Sequence, residues 1–483
     1  MIALPRLDFG APAAERDIAR GLKTYFVESP SYRRLKAGQT TVLLGNRGTG
    51  KSAICKMLGA EPHGPICVEL SPEDYSYEVL SKNMAKEHEG SWAKAGAYAA
   101  AWKYLIYVLI MAHLLERRPS LANTKHGKPV FRYLRDHHEG FQKTKLDVLV
   151  SYLKRLEGIK VGPYEATLKA KQLENLYKLE SLQPVLPSLV HLCEDNPVRV
   201  IVDELDKGWD ASEDAKSFVA GLFQAAVGLN QSTPGIRVIV SLRKELYDNI
   251  PALYEDAQKV WDIIETVEWN EASLRDLIAK RIGHSFNELE RVPAAEQWAA
   301  VFEQSPGYGD VSSYDYMLAR TLYRPREMIQ FCTQAKDHAI EAERNTILYE
   351  NVAHVEGLYS EQRAKDIAAE YRFEWPGLLS VFNAFGGGPA EFTRQSLEDI
   401  CLGIILKELK RSPETCGWLD NQEPEYLIEL LWKVGFLMVM SSEVKAGRTR
   451  REFVGSHQVR ALNLQNKTDF SIHQMFRAYL GVG

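Results

Sequence analysis

The stretch that decides the fold class is GNRGTGKS, which runs Gly45-Asn46-Arg47-Gly48-Thr49-Gly50-Lys51-Ser52. It follows the apolar run Thr41–Leu44 and opens a helical pattern that continues through Ala53 to Leu58. Its glycines, lysine and serine match G-x-x-x-x-G-K-[ST], in which curled backbone N–H groups point at phosphate oxygens. The lysine of this motif reaches the β and γ phosphates, and the serine hydroxyl holds Mg²⁺. Residues 45–53 are therefore predicted to bind a nucleotide, the alternative being a glycine-rich turn with a solvated lysine.

An acidic element far along the chain supplies the carboxylates that a metal-bound nucleotide requires. The apolar run Val198–Val202 ends in Asp203 and Glu204. A bound Mg²⁺ needs an acid, and the attacking water needs a polarising group. We expect Asp203 to bind Mg²⁺ together with Ser52, and Glu204 to act on the water, with Asp206 holding this loop or a neighbouring subunit. The alternative is an acidic cap on an ordinary strand.

Two arginine-bearing stretches are candidates for contact with the nucleotide. The run Ile236–Val240 continues into Ser241 and Arg243, and an arginine after a strand can neutralise charge that develops at the γ phosphate. Arg243 is therefore a predicted catalytic residue, the alternative being a surface arginine. The stretch Arg324-Pro325-Arg326 opens a helical pattern, so these arginines lie at a positive helix end. There Arg326 could close on the nucleotide or simply cap the helix.

The order of apolar runs and helical patterns predicts an α/β fold with a parallel-sheet P-loop core. Strands are expected at 41–44, 66–70, 198–202, 236–240 and 262–268. Residues 1–268 form the predicted core, and the long separation of Lys51 from Asp203 indicates a large helical insert at about 75–194. Residues 269–350 are expected to form an all-α lid, and residues 351–483 a helical and winged-helix-like C-terminal domain.

The winged-helix expectation rests on an amphipathic pattern at Tyr426–Val434 and on the segments 436–440 and 451–455, which flank a polar tip as in a hairpin. The tip of this hairpin carries four basic residues, Lys445, Arg448, Arg450 and Arg451. They could lie along a DNA backbone, or they could form a solvated or protein-binding tip. The last stretch, Phe470–Leu480, is expected to be an apolar-faced helix with His473 in the core or at a cap.

Whole-chain composition bounds the function further. A formal net charge of −5 gives no general attraction to nucleic acid or to an anionic membrane. The six cysteines form no C-x-x-C pair, and the chain opens without a signal-peptide pattern, so we expect a cytoplasmic protein. The segment Ala95–Leu115 is apolar, but Lys103 interrupts it, and Tyr104–Ala112 is only about half of the roughly 20 residues that a bilayer requires. It is therefore predicted to be a buried helix, not a membrane span.

In this order the motifs resemble those of AAA+-related P-loop ATPases near the STAND, KAP and origin-recognition branch, over roughly residues 1–345. The stretches that carry the resemblance are 45–52, 203–206, 241–243 and 324–326. Asp8-Phe9-Gly10, with the Ala14–Asp17 stretch, is similar to the short N-terminal element that contacts the adenine region in such proteins. The resemblance implies ATP with Mg²⁺, a homo-oligomer, a sensor role for Arg243 and a lid (sensor 2) role for Arg326. The helical insert departs from the family pattern.

Three functions follow from these readings. The chain resembles ATPases of prokaryotic antiphage defence operons, and it carries no legible effector motif, which favours an ATP-hydrolysing oligomeric regulator or scaffold that controls a separate effector protein. The second is a DNA-binding remodeller or loader, of the origin-recognition or transposition-helper kind, that uses the basic hairpin. The third is a nucleotide-binding scaffold that hardly hydrolyses ATP.

Overall fold

The chain forms two compact units in the computed structural model. The described residues are 3–71, 91–138, 182–207, 209–250, 253, 261–304, 308, 311–445, 448–459 and 462–483. The sheet unit comprises Glu28–Asn46 and Lys51–Val267. The helical unit comprises Met1–Val27, Arg47–Gly50 and Glu268–Gly483. The predicted lid and C-terminal domain both fall inside the helical unit, and the boundary between them stays a prediction.

The sheet unit is built on a five-stranded sheet with the strand order β2-β3-β4-β1-β5. Its strands are β1 Val42–Gly45, β2 Ile66–Leu70, β3 Val198–Val202, β4 Ile236–Arg243 and β5 Ile264–Thr266. Every pairing among these strands is parallel. The residues of β1 and β3 are buried throughout, as strands of a parallel sheet covered by helices on both faces must be. The predicted α/β fold with a parallel sheet is confirmed.

The bounds of β2 to β5 follow the predicted runs, except that a neighbouring strand extends β4 and a turn shortens β5. The strands β2 and β3 have the predicted bounds. The strand β4 continues past Val240 because β1 pairs beside it, with Gly45 opposite Arg243. The predicted strand 262–268 shortens to β5, since a 3₁₀ turn at Trp261–Ile263 occupies its start.

Helices make up most of what the structure describes of the sheet unit outside the strands. They are Pro30–Lys36, Lys51–Gly59, Ser91–Arg117, Gly127–His138, Leu186–Asp195, Glu213–Ser232 and Lys244–Asp248. The predicted insert at 75–194 is described only at 91–138 and 182–194, which are largely helical, and its other residues lie outside the described ones. The helix Glu213–Ser232 begins where the Ser212 side chain accepts a hydrogen bond from the Ala215 N–H.

The long apolar helix Ser91–Arg117 packs against the helix Glu213–Ser232. Trp102 Nε1 donates to the Phe218 carbonyl at 3.1 Å, and the ring of Tyr98 meets the Phe218 ring edge-on at 5.4 Å. Gly221 permits this close approach, because a Cβ there would lie 2.6 Å from the Tyr98 Cβ. The helix is long and apolar enough to cross a membrane, but 78% of its most apolar window is buried inside the protein. The prediction of a buried helix is confirmed.

The helical unit has a separate apolar core. Its helices are Ala14–Asp17, Leu22–Tyr25, Glu271–Ser285, Ala294–Ala299, Ser313–Leu318, Pro325–Glu341, Tyr349–Glu370, Leu378–Asn383, Arg394–Ile405, Cys416–Leu419, Pro424–Lys433 and Gln474–Leu480. Part of the core is an aromatic cluster in which Phe436 stacks on Phe382 at 4.5 Å and meets Phe476 at 5.2 Å. Such rings bury large apolar areas, so they join distant stretches of the chain.

A four-stranded antiparallel sheet of order β6-β9-β7-β8 belongs to the same unit. Its strands are β6 Glu391–Thr393, β7 Leu437–Lys445, β8 Arg448–Gly455 and β9 Asp469–Ile472. The strands β7 and β8 form the predicted hairpin, with Lys445 opposite Arg448. The predicted helix over Phe470–Leu480 is wrong at its start, because β9 pairs with β6 and β7, and the helix begins only at Gln474. Strand pairing here overrides the helical spacing of the apolar residues.

Two histidine rings, those of His457 and His473, meet at 5.4 Å in the helical unit. His473 is buried, and its Nδ1 accepts a hydrogen bond from the Met475 N–H at the start of the last helix, so the core and cap readings both hold. Burial lowers the pKa of His473 well below its usual value. Burial, with a smaller effect from Arg324, lowers the pKa of His457 to about 3. Both rings are therefore neutral in the folded protein at neutral pH.

We expect the helical unit to lose stability as the pH falls from 7 to 5. Unfolded imidazoles titrate near 6.5, so below that pH the unfolded state binds more protons, and stability falls by up to about 1.4 kcal/mol per pH unit for each ring. Thermal unfolding at pH 7, 6 and 5 measures the effect. The double variant His457→Gln/His473→Gln should flatten the dependence, whereas His191→Gln, at an exposed site, should retain it. A double variant with the wild-type slope would contradict the neutral state of these rings.

Candidate functional site

The phosphate loop lies between β1 and the helix Lys51–Gly59, which is the strand–loop–helix setting that the motif requires. Gly48 and Gly50 have φ values of 84° and 92°, in the left-handed region that favours glycine. Backbone of this kind turns successive N–H groups toward one side and forms an anion-binding concavity. A side chain at Gly48 would also be crowded, since its Cβ would lie 3.1 Å from the Arg326 Cβ.

The side chain of Lys51 reaches back to the first two residues of the loop. Its Nζ donates to the carbonyl oxygens of Gly45 at 2.7 Å and Asn46 at 3.1 Å. Burial lowers the pKa of Lys51, and the carboxylates of Glu245 and Asp203 oppose that shift. Ser52 and Ala53 follow in the first helical turn, where backbone N–H groups have no partner within the helix. An anion at this turn would meet a positive charge and several N–H donors together.

The strand order brings the predicted acids to the same edge of the sheet as the phosphate loop. The strand β4 lies between β1 and β3, and all three run parallel, so the carboxyl ends of the three strands meet at one edge. Asp203 directly follows β3, and its N–H donates to the Leu70 carbonyl at 3.2 Å. Its carboxylate is close enough to Lys51 to act on the pKa of that lysine. The fold therefore places Lys51 and Asp203 at the same edge of the sheet.

Glu204 stands on a strained turn. Its φ of 61° is a left-handed value, which costs a residue with a Cβ roughly 1–2 kcal/mol. Its carboxylate forms an ion pair with Lys207 Nζ at 2.7 Å. Strain of this kind persists where the surrounding structure holds it, and it concentrates at functional sites. The backbone thus bends sharply where β3 ends, and the predicted catalytic acid lies on that bend.

Arg243 ends β4 and is held by two acids. It forms an ion pair with Asp206, and its Nη1 lies 3.6 Å from Glu245 Oε1. Asp206, for which the sequence left two roles open, is thus the partner of Arg243 within the sheet unit. Ser241 is buried in the same strand beside the thiol of Cys55. The charge of Arg243 is therefore compensated by two acids of the same unit.

Three loop residues are held by other residues of the helical unit. The carbonyl oxygens of Arg47, Gly48 and Thr49 each accept one hydrogen bond there. The donors are, in that order, Arg324 Nη1 at 3.1 Å, Arg326 N at 3.3 Å and Trp269 Nε1 at 2.8 Å. The Arg47 N–H donates to Glu370 Oε1 at 3.2 Å. The backbone of the loop is therefore fixed by a set of contacts on successive residues.

Arg326, the predicted lid arginine, contacts Gly48 through its main chain, and its guanidinium Nε donates to the Pro12 carbonyl at 3.2 Å. The N-terminal element that includes Pro12 is fixed in the same unit by Asp17. The Asp17 carboxylate accepts from the Ala11 N–H at 2.6 Å and forms a buried ion pair with Arg281 at 3.1 Å. The adenine contact of this element and the nucleotide contact of Arg326 stay predictions.

Sequence reasoning did not identify Trp269 or Glu370. Trp269 directly precedes Asn270, which caps the helix Glu271–Ser285, so a lone aromatic residue at that junction was the available signal. Glu370 is one of 64 acidic residues and has no spacing relationship to any motif, so no local pattern singles it out.

Comparison with known proteins matches part of the chain to a family model and most of it to a curated relative. Residues 272–368 match the model described as "FunZ-associated C-terminal helical domain", and this range begins and ends within helices of the structure. The chain is 24% identical over 447 residues to the "Putative transposon gamma-delta 80.3 kDa protein" of Escherichia coli (strain K12). That alignment covers 89% of this chain and 61% of the relative, so the chain spans about three fifths of the relative's length.

Two solved structures align along nearly the whole chain at low similarity. One is the crystal structure of Cdc6p from Pyrobaculum aerophilum, at 13% identity and a TM-score of 0.28, covering 98% of this chain and 95% of that one. The other is the Aeropyrum pernix ORC2 protein in ADPNP and ADP complexes, at 12% identity and a TM-score of 0.33, covering 96% and 92%. Chain paths differ widely at such scores, so the fold assignment rests on the strand order and the burial of this chain.

Proposed function

We propose that this chain is an AAA+-related P-loop ATPase that binds ATP with Mg²⁺ at the carboxyl edge of the parallel sheet and hydrolyses it. The observation that carries the proposal is the position of Lys51 and Asp203 at one edge, on either side of β4. The Ser52 hydroxyl and the Asp203 carboxylate are oxygen ligands of the kind that Mg²⁺ takes. These residues therefore fit a metal-bound triphosphate, in which Mg²⁺ would neutralise charge on the phosphate oxygens.

In this proposal Glu204 takes the proton from the attacking water. The water oxygen bonds to the γ phosphorus, the bond from that phosphorus to the bridging oxygen breaks, and ADP and inorganic phosphate leave. Lys51 stabilises the charge on the β and γ phosphates throughout the step. Arg243 leaves Asp206 to contact the γ phosphate, and Arg326 acts as the lid arginine.

Release of inorganic phosphate from ATP, measured with Mg²⁺ and again with EDTA, tests the proposal. We expect turnover that requires Mg²⁺. Tight ATP binding without phosphate release would favour the scaffold that hardly hydrolyses ATP. Absence of ATP binding would reject both.

The proposal extends to an oligomeric regulator or scaffold that controls a separate effector protein in the cytoplasm, with antiphage defence as its role. Its support is the resemblance of the motifs at 45–52, 203–206, 241–243 and 324–326 to those of such ATPases. Pull-down with and without ATP, together with the native mass, tests it. We expect an ATP-dependent partner and a multiple of 54.7 kDa. A monomer that retains no partner in either state would overturn it.

The second candidate function is DNA binding by a remodeller or loader of the transposition-helper kind. Its support is the transposon assignment in the name of the curated relative, and the hairpin that follows the helix Pro424–Lys433. We interpret this helix and hairpin as a winged-helix-like element. Lys445 pairs with Arg448 near the hairpin tip, and Arg451 is exposed on β8.

Gel shifts over a series of salt concentrations test the DNA candidate. The variant Arg448→Ala/Arg450→Ala/Arg451→Ala should weaken binding and lower the slope of log affinity against log salt by about 2 to 3, since each phosphate contact adds roughly 0.9. The control removes the same charge elsewhere, at the exposed lysines 244, 365 and 407. Equal slopes for the hairpin variant and the wild type would exclude the hairpin as a DNA contact.

A further inference from the structure

The ion pair between Arg324 and Glu370 binds both the N–H and the carbonyl of Arg47. Glu370 Oε1 accepts from the Arg47 N–H at 3.2 Å, and Arg324 Nη1 donates to the Arg47 carbonyl at 3.1 Å. The two side chains are joined to each other, with Arg324 Nη1 2.6 Å from Glu370 Oε2. The ion pair therefore binds one peptide residue of the phosphate loop through both its donor and its acceptor.

Both residues of the ion pair are buried, so the pair is held in one geometry. Arg324 is 5% exposed and Glu370 6% exposed, and Glu327, at 3.6 Å from Arg324 Nε, is buried as well. A buried ion pair is costly to break, because removing one partner leaves the other charge desolvated. Replacing such a pair by apolar residues is often neutral for stability, so its presence points to a demand for orientation.

The planarity of the peptide bond determines the direction in which the N–H groups of the loop point. In a trans peptide the carbonyl of one residue and the N–H of the next point in opposite directions. The carbonyls of Arg47, Gly48 and Thr49 are all held by hydrogen bonds. The N–H groups of Gly48, Thr49 and Gly50 must therefore point away from those donors. These N–H groups belong to the loop that the motif assigns to phosphate binding.

We propose that Glu370, acting through Arg324, is a positioning residue that holds the loop so that its N–H groups meet the nucleotide phosphates. The inference rests on the proposed function, since it assigns a purpose to contacts at the same site. Glu370 is the last residue of the helix Tyr349–Glu370, whose Ser360 Oγ donates to the Met475 carbonyl at 2.6 Å.

The test pairs amide hydrogen exchange of the loop with nucleotide affinity. In Glu370→Gln the charge-assisted bond to the Arg47 N–H becomes a neutral one, so exchange of this amide without nucleotide should be about tenfold faster. Affinity for ATP and for ADP should both fall, by about 10- to 100-fold, because loop amides contact the β phosphate that both nucleotides carry. A purely structural role would leave these two readouts unchanged at equal stability.

Glu356→Gln is the matched control. Glu356 lies in the same helix and forms a comparable part-buried pair with Arg320 at 2.6 Å, away from the loop residues. The double variant Arg324→Gln/Glu370→Gln removes both charges of this ion pair together and serves if the single variant folds poorly. Glu327, which also faces Arg324, keeps the hydrogen bond that it accepts from the Leu322 N–H. We expect the double variant to reproduce the faster exchange and the weaker binding, and Glu356→Gln to show neither.

Unchanged loop exchange in the Glu370 variants, or faster exchange with unchanged nucleotide affinity, would overturn the positioning role. If the wild type bound no nucleotide while exchange still rose in the variants, the proposed function would fall and the contact of Glu370 with the loop would stand. The two failures are therefore distinguishable.

Discussion

Replacing Lys51 by alanine should lower ATP turnover by at least about 100-fold, the loss that follows removal of one preorganised donor to developing charge. Lys51 Nζ now rests on the carbonyls of Gly45 and Asn46, where a phosphate oxygen can take the place of one acceptor. Its ammonium is the cation that the motif directs at the β and γ phosphates, so affinity for ATP should fall as well. Phosphate release and fluorescent-nucleotide binding measure the two effects.

The control for Lys51 lies on the same helix. Lys56 pairs with Glu69 on a more exposed face, so Lys56→Ala removes an equal charge and should leave turnover and affinity unchanged. Wild-type turnover in a folded Lys51→Ala variant would reject the phosphate site.

Glu204→Gln should lower turnover by about 100- to 10,000-fold while ATP affinity stays within a few-fold of the wild type. A carboxamide has nearly the same shape as the carboxylate but cannot accept the proton of the attacking water. Glutamine tolerates the left-handed backbone of this turn no worse than glutamate, so the loop should keep its path. Single-turnover hydrolysis, measured beside equilibrium binding of ATP, separates the chemical step from binding.

Glu213→Gln is the matched control for Glu204. Both glutamates pair with a lysine three residues later, Glu204 with Lys207 and Glu213 with Lys216. The control therefore loses the same kind of surface ion pair, and it should hydrolyse ATP at the wild-type rate. Equal losses in the two variants would show that the ion pair, not proton transfer, accounts for the effect.

The parallel sheet could be predicted because most of its strands are short, mainly apolar runs separated by helical patterns. The strands β2 and β3 match their predicted bounds. Strand ends that depend on a neighbour were less predictable, as β4 shows by continuing to Arg243 beside β1. The segment 469–472 shows the same limit, because the apolar spacing at Phe470 suits a helix until pairing with β6 and β7 makes it a strand.

The candidate site divides in the same way. The residues 45–52 and the acids after β3 belong to short motifs that can be recognised in the sequence alone. Their catalytic roles stay predictions. The ion pair between Arg243 and Asp206 is seen only in the folded chain, where β3 and β4 lie side by side. The hydrogen bonds of Arg324 and Glu370 to Arg47 likewise join residues that are far apart in the sequence and belong to no common motif.

The sequence alone determined the parallel-sheet core, the phosphate motif and the acidic strand end, because local periodicity and motif spacing encode them. Only the tertiary structure decided which charges pair, which loop carbonyls are held and where strands end. These depend on contacts between residues that are distant in the chain, and such contacts are set by packing and burial of the whole unit.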